Sequence, residues 1–290
     1  MQVAEQIAVT GANGQLGAEL CQQLGIRAVA LDRDSLDITD REAVRYVLMK
    51  IRPQVVINAA AYTQVDRAEE DPLACRTVNV EAVRQLAEVC GELDCPFLHV
   101  SSDYVFGSRA AREEPYGEDE PTDPQGVYAQ SKWDGENEAR RHGRHIIVRT
   151  CGLYGHPLHP RKAQNFVETM LRLAGQRSRL GVVDDQHCTP SYVRHVAAAI
   201  VYLAQSEHQG TYHVVNGGAT TWYDFAAEIF RLEGITIQLD PISTEQFGAP
   251  APRPHYCVLD TSKYQALGQG PVLPDWRAAL GQYLAWRKSH

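Results

Sequence analysis

Gln6-Ile-Ala-Val-Thr10 runs straight into Gly11-Ala-Asn-Gly14-Gln-Leu-Gly17, and apolar residues then recur at Leu16, Leu20 and Leu24. The first run reads as a buried strand, and the four-residue recurrence predicts an amphipathic helix. A strand feeding a glycine-rich turn that opens a helix is the setting the dinucleotide fingerprint requires. Gly11 permits the tight turn, Gly14 lets the backbone approach a pyrophosphate, and Gly17 lets the helix pack on the sheet. Together with Asn13, Gln15 and Leu16 they form the expected phosphate-binding set, because backbone N–H groups at a helix start receive anions. The spacing, G-x-x-G-x-x-G, is one residue longer in its first step than the commonest form.

Further strand and helix signals follow on both sides. Arg27 to Asp32 reads as a second strand, with Asp32 placed to accept from ribose hydroxyls, as in NADH binding. Arg33 beside it is equally placed for a 2′-phosphate, as in NADPH binding, so both cofactors stay open. Leu36-Asp37-Ile38 reads as a short third strand, with Asp37 and Ile38 toward the adenine edge. Thr39 or Asp40 then caps a helix through Val44, Val47, Leu48 and Ile51. Val55 to Ala59 is a buried strand, and Ala60-Ala61 leave room for a flat ligand over its end. Asp71-Pro72 reads as N-cap and first residue of a helix to about Leu93. Phe97 to Ser101 is the next strand, with Ser102-Asp103-Tyr104 just beyond its carboxyl end, where open parallel sheets bind ligands. His145 to Thr150 adds another. The class is therefore α/β, a Rossmann-type doubly wound parallel sheet.

Past Thr150 the rhythm changes. Helices are expected over 165–174 and 192–203, a short extended piece over 181–183, and a strand over 211–215 that rejoins the main sheet. Thr221 caps a helix that Gly234 ends. Residues 1–150 plus about 188–216 are thus expected to form the dinucleotide-binding domain, and about 151–187 with 217–290 a smaller α/β lobe over the substrate.

The 290 residues carry a net charge of -8, which speaks against nucleic acid and against a polybasic membrane contact. Met1 to Gln6 lack the features of a signal peptide, and no apolar segment reaches membrane-spanning length. The seven cysteines are scattered without a C-x-x-C pair, which suits reduced thiols in a cytoplasmic enzyme. His156-Pro-Leu-His159-Pro has no neighbouring acidic or thiol ligand and reads as a loop. No metal is expected.

Tyr128 and Lys132 lie one turn apart on one helix face. A cation beside a phenol stabilises the phenolate and lowers its pKa, which makes a usable general acid or base. With Gly11-x-x-Gly14-x-x-Gly17, Asn58-Ala-Ala-Ala61 and Ser101-Ser-Asp-Tyr-Val-Phe106, this Tyr-x-x-x-Lys pair resembles an extended short-chain dehydrogenase/reductase. Asn165-Phe-Val-x-Thr-Met-Leu-Arg-Leu173, Asp185-Gln186, Thr221-Trp222 and Ala251-Pro-Arg-Pro254 with Leu259-Asp260 narrow the resemblance to the dTDP-4-dehydrorhamnose reductase family, over nearly the whole chain. The resemblance implies that Ser102 and Tyr128 bond a 4-keto oxygen, Tyr128 supplies the proton, and Lys132 holds the nicotinamide ribose and depresses the Tyr128 pKa. It implies sugar contacts for Val65, Asp103 and Tyr104, and diphosphate contacts for Asn165 and Arg253. The implied partner is a nucleotide sugar, and the chain acts as monomer or homodimer.

The sequence also departs from that family. Arg149-Thr150-Cys151-Gly152 stands where Arg-Thr-Ser-Trp is usual, which removes an aromatic wall from the sugar pocket. Cys188 replaces a usual glycine and Cys257 a usual serine. Tyr104 occupies the place of a second acid, which disfavours a dehydratase. Two alternatives remain: a sugar-nucleotide epimerase, and a non-catalytic NADP-binding subunit resembling the regulatory β subunit of methionine adenosyltransferase.

Overall fold

The computed structural model describes residues 6–107, 112–156 and 165–290. Its centre is a six-stranded sheet of β1 (Ile7–Thr10), β2 (Ala28–Leu31), β3 (Val55–Asn58), β4 (Phe97–Ser102), β5 (His145–Thr150) and an edge strand, Gly210–His213. The order is edge strand, β5, β4, β3, β1, β2, and every pair is parallel. The inner strands of such a sheet are covered on both faces and so are largely apolar. In β1, Ile7 and Val9 enter one apolar core while Ala8 enters the other. Helix α1 (Gln15–Leu24) and the helix Val193–Ala204 pack together on the first face; α2 (Arg41–Ile51) and Ala82–Leu93 cover the second. Strand order reverses at β1, which opens a crevice beyond its carboxyl end.

Most predicted elements are present, and three differ. Leu36-Asp37-Ile38 is not a strand: the Asp37 carboxylate accepts from both the amide and the hydroxyl of Thr39, and Leu36 N–H bonds the Asp32 carbonyl. Those local bonds satisfy the polar groups that a sheet edge would otherwise need. The helix capped by Asp71 does reach Leu93, but Thr77–Glu81 is a π-helical segment within it. Arg27 ends a 3₁₀ turn, so β2 is shorter than expected. In the second half, the predicted returning strand joins β5, with Gly210 beside Ile146. Arg179–Val183 pairs instead with Gln238–Ile242 in a separate two-stranded sheet. Thr221 caps its helix as read, and Asn165 also proves to be a cap, each accepting a backbone N–H. No helix among the described residues is long and apolar enough to cross a membrane.

Candidate active site

Two cavities lie beyond the carboxyl ends of the strands. The larger, about 860 Å³, runs along the crevice between β1 and β3. Its floor is the glycine turn. Gly11 has φ +70, and a Cβ there would stand 2.6 Å from the Ala60 nitrogen. A side chain would close the cradle from below. Gly17 does not line the cavity; a Cβ at Gly17 would be 2.2 Å from the Gly11 carbonyl oxygen, so its smallness holds helix and turn together. The other expected cofactor residues do line it: Gly11, Asn13, Gly14, Gln15 and Leu16 from the turn, Asp32, Arg33, Asp37 and Ile38 beyond β2, and Ala59, Ala60 and Ala61 after β3. The Asp32 carboxylate accepts from Asn13 at 2.6 Å and from the Ser35 hydroxyl at 2.7 Å; Ser35, with Asn13, holds its pKa below the usual range. Tyr62, Thr63, Gln64 and Val78 also line this cavity and carry no sequence signal of their own.

The smaller cavity, about 160 Å³, shares Ser102, Tyr128 and Gly152 with the larger one. Ser102 ends β4, and Tyr128 and Lys132 project from the helix Gly126–Arg140. No side chain at Gln125 caps that helix. Glu69, far away in sequence, accepts from the Val127 N–H at 2.8 Å and places its carboxylate where the helix dipole favours it. Ser102 Oγ donates to Asp103 Oδ1 at 2.9 Å, and Tyr104 stands edge-on to Tyr128 with ring centroids 5.8 Å apart.

Lys132 is buried, and its Nζ donates to the Val100 carbonyl at 2.7 Å. Burial lowers its pKa to about 8, with Glu136 one turn on acting in the opposite sense. Burial pushes the Tyr128 phenol well above its usual range, and hydrogen bonding with Ser102 opposes this only in part. That reverses the direction expected from the Tyr-x-x-x-Lys spacing, because desolvation dominates here.

Of the residues expected against a sugar, Val65, Asp103 and Tyr104 line the smaller cavity. Asn165 and Arg253 do not. Asn165 caps its helix by accepting from the Glu168 N–H and donates to the Gly155 carbonyl. Arg253 pairs with Asp66 at 2.8 Å and donates to the Ala251 carbonyl. Both are engaged in holding chain segments together. The aromatic wall expected to be lost is supplied from elsewhere: Trp222 lines the cavity, and a Cβ on Gly152 (φ +49) would lie 3.0 Å from its indole. Gln186, Pro254 and three cysteines complete the lining. The cysteines that look scattered in sequence, Cys151, Cys188 and Cys257, therefore converge on one wall. His156 bonds the Tyr192 hydroxyl and packs on Trp286; His159 lies outside the described residues.

Sheet order, glycine cradle and paired cavities define a Rossmann-type α/β protein with a dinucleotide-shaped crevice. Residues 5–288 match the family described as the RmlD substrate binding domain, and the chain belongs to that family. It is 41% identical over 283 residues to the dTDP-4-dehydrorhamnose reductase of Streptomyces griseus, covering 94% of this chain and 90% of that one. It is 37% identical to the spore coat polysaccharide biosynthesis protein SpsK of Bacillus subtilis, covering 98% of each. Among solved structures, dTDP-4-dehydrorhamnose reductase from Bacillus anthracis in complex with NADP superposes with a TM-score of 0.92 at 35% identity, over 98% of this chain and 100% of that one.

Proposed function

We propose that this chain reduces the 4-keto group of a nucleotide-linked 6-deoxysugar with NADPH or NADH, converting dTDP-4-dehydro-L-rhamnose to dTDP-L-rhamnose. The observation that carries the reading is the meeting of the two cavities at Ser102 and Tyr128. The larger cavity fits a dinucleotide because its turn leaves no room for a Cβ at Gly11 and opens a helix N-terminus toward a diphosphate. Bound there, a reduced nicotinamide supplies the hydride.

The remaining chemistry belongs to the side chains. A phenol with a raised pKa stays protonated at neutral pH, which suits Tyr128 to deliver a proton to the oxygen at C4. Ser102 stands beside it to hydrogen-bond the same oxygen as negative charge develops. Lys132, fixed on the Val100 carbonyl at the edge of the larger cavity, presents its remaining N–H donors to the ribose. Val65, Tyr104 and Trp222 enclose the sugar ring. The protein works in the cytoplasm as a monomer or homodimer, without nucleic acid.

The test is oxidation of NADPH by the purified chain supplied with dTDP-4-dehydro-L-rhamnose. Tyr128→Phe is expected to remove the general acid and lower kcat by about 10²–10⁴-fold while NADPH binding is retained. A wild-type chain that binds NADPH but turns over no 4-keto sugar nucleotide would end this reading, and interconversion of C4 epimers without net NADPH consumption would replace it with an epimerase.

A further inference from the structure

Asp103, Cys151 and Cys257 bring one carboxylate oxygen and two sulfurs within 4.8 Å of one another. They arrive from three separate segments: the end of β4, the residue after β5, and the chain beyond Pro254. Asp103 is 2% exposed and the two cysteines 3% each, yet all three line the smaller cavity. A third thiol, Cys188, lines the same cavity. One oxygen of Asp103 accepts from Ser102, while Oδ2 is a buried acceptor with no hydrogen-bond partner. The cluster thus concentrates ligand atoms and supplies no cation of its own.

We propose that Asp103, Cys151 and Cys257 form a binding site for a thiophilic divalent cation, Zn²⁺, whose fourth position opens into the smaller cavity. Two sulfurs and one oxygen exclude Mg²⁺ and Ca²⁺, which take oxygen ligands, and match the mixed donor sets that Zn²⁺ accepts. Binding converts each thiol to a thiolate, releases its proton, and gives the buried carboxylate a counter-charge. Asp103 is bonded to Ser102, so an occupied site draws on the same carboxylate and narrows the space beside Ser102. Zn²⁺ then competes with the sugar. That consequence rests on the proposed reductase activity; the binding itself does not.

The experiment uses the full chain, reduced and freed of reductant under anaerobic conditions, titrated with Co²⁺ as a coloured substitute and then with Zn²⁺. A thiolate-to-cobalt charge-transfer band that saturates stoichiometrically and is displaced by Zn²⁺ is the expected result. Cys151→Ser and Cys257→Ser each lose the band and weaken Zn²⁺ binding by more than the roughly 10–100-fold that losing an outer partner costs. Both variants retain NADPH binding, which shows that they fold. Cys90→Ser, altering a buried thiol in the apolar core on the other face of the sheet, keeps the band. Absence of the band in the reduced wild type overturns the site, as does a band lost in Cys90→Ser but kept in the other two. Band formation with the expected pattern sustains the site whether or not the chain reduces any sugar.

Discussion

Gly135→Ala tests how tightly the Tyr128 helix is set. Gly135 faces Asn79, in the π-helical segment Thr77–Glu81, and an added Cβ would lie 2.2 Å from the Asn79 carbonyl oxygen. Real Cβ atoms do not approach within 3.0 Å, so helix and segment must part by about 0.8 Å (3.0 less 2.2). Two effects oppose each other. Alanine is favoured over glycine inside a helix by about 1 kcal/mol. Overpacking a rigid contact costs about 1–3 kcal/mol. Backbone cannot swing away as a side chain can, so the clash wins, leaving a net loss on the order of 1 kcal/mol and a Tm lower by about 2–4 °C.

Activity suffers more than stability. Asn79 is bonded to Tyr62, which lines the larger cavity, and to Ser131, next to Lys132 on the displaced helix. A shift near 1 Å in such a frame costs kcat about 10²-fold. Gly281→Ala is the control, because a Cβ there meets nothing within 4 Å. It is expected to raise Tm by about 2–4 °C with kcat unchanged. Thermal melts and steady-state NADPH oxidation decide the matter. A Gly135→Ala chain that melts higher and keeps its kcat refutes the reasoning.

Two further expectations concern charge. The free protein's Lys132 loses its proton at about pH 8, so its ammonium is present below that pH and lost above it. Reductive kcat/KM should hold up to about pH 8 and decline beyond; a profile flat through about pH 9.5 would rule out a need for the ammonium. Arg149 and Glu136 form a fully buried two-bond pair, at 2.9 and 2.8 Å, that ties β5 to the Tyr128 helix. Arg149→Met leaves the buried Glu136 carboxylate with its 2.7 Å pair to Arg140 and should cost about 3 kcal/mol in urea unfolding, part of which adding Glu136→Leu should restore. A double variant no better than the single would show that the pair's charges are not the issue.

How much of this was legible in the sequence depends on how far each constraint reaches. The glycine cradle was readable because turn, close approach and helix start fall within seven consecutive residues. The Asp71 and Thr221 caps were readable for the same reason, each bonding an amide three residues on. The strand expected at Leu36 to Ile38 failed because Thr39 offered Asp37 a nearer partner than any neighbouring strand.

Residue types and local spacing determined the parallel α/β class and the crevice at the carboxyl ends of the strands, and placed Tyr128 and Lys132 on one helix face beside it. Tertiary structure alone decided the Glu69 cap on the Tyr128 helix, the Trp222 wall beside Gly152, and the gathering of Cys151, Cys188 and Cys257 about Asp103. It also decided the sense of the Tyr128 shift. Helix spacing reports which side chains share a face, but desolvation depends on every segment packed around them. Only the folded chain brings those segments together.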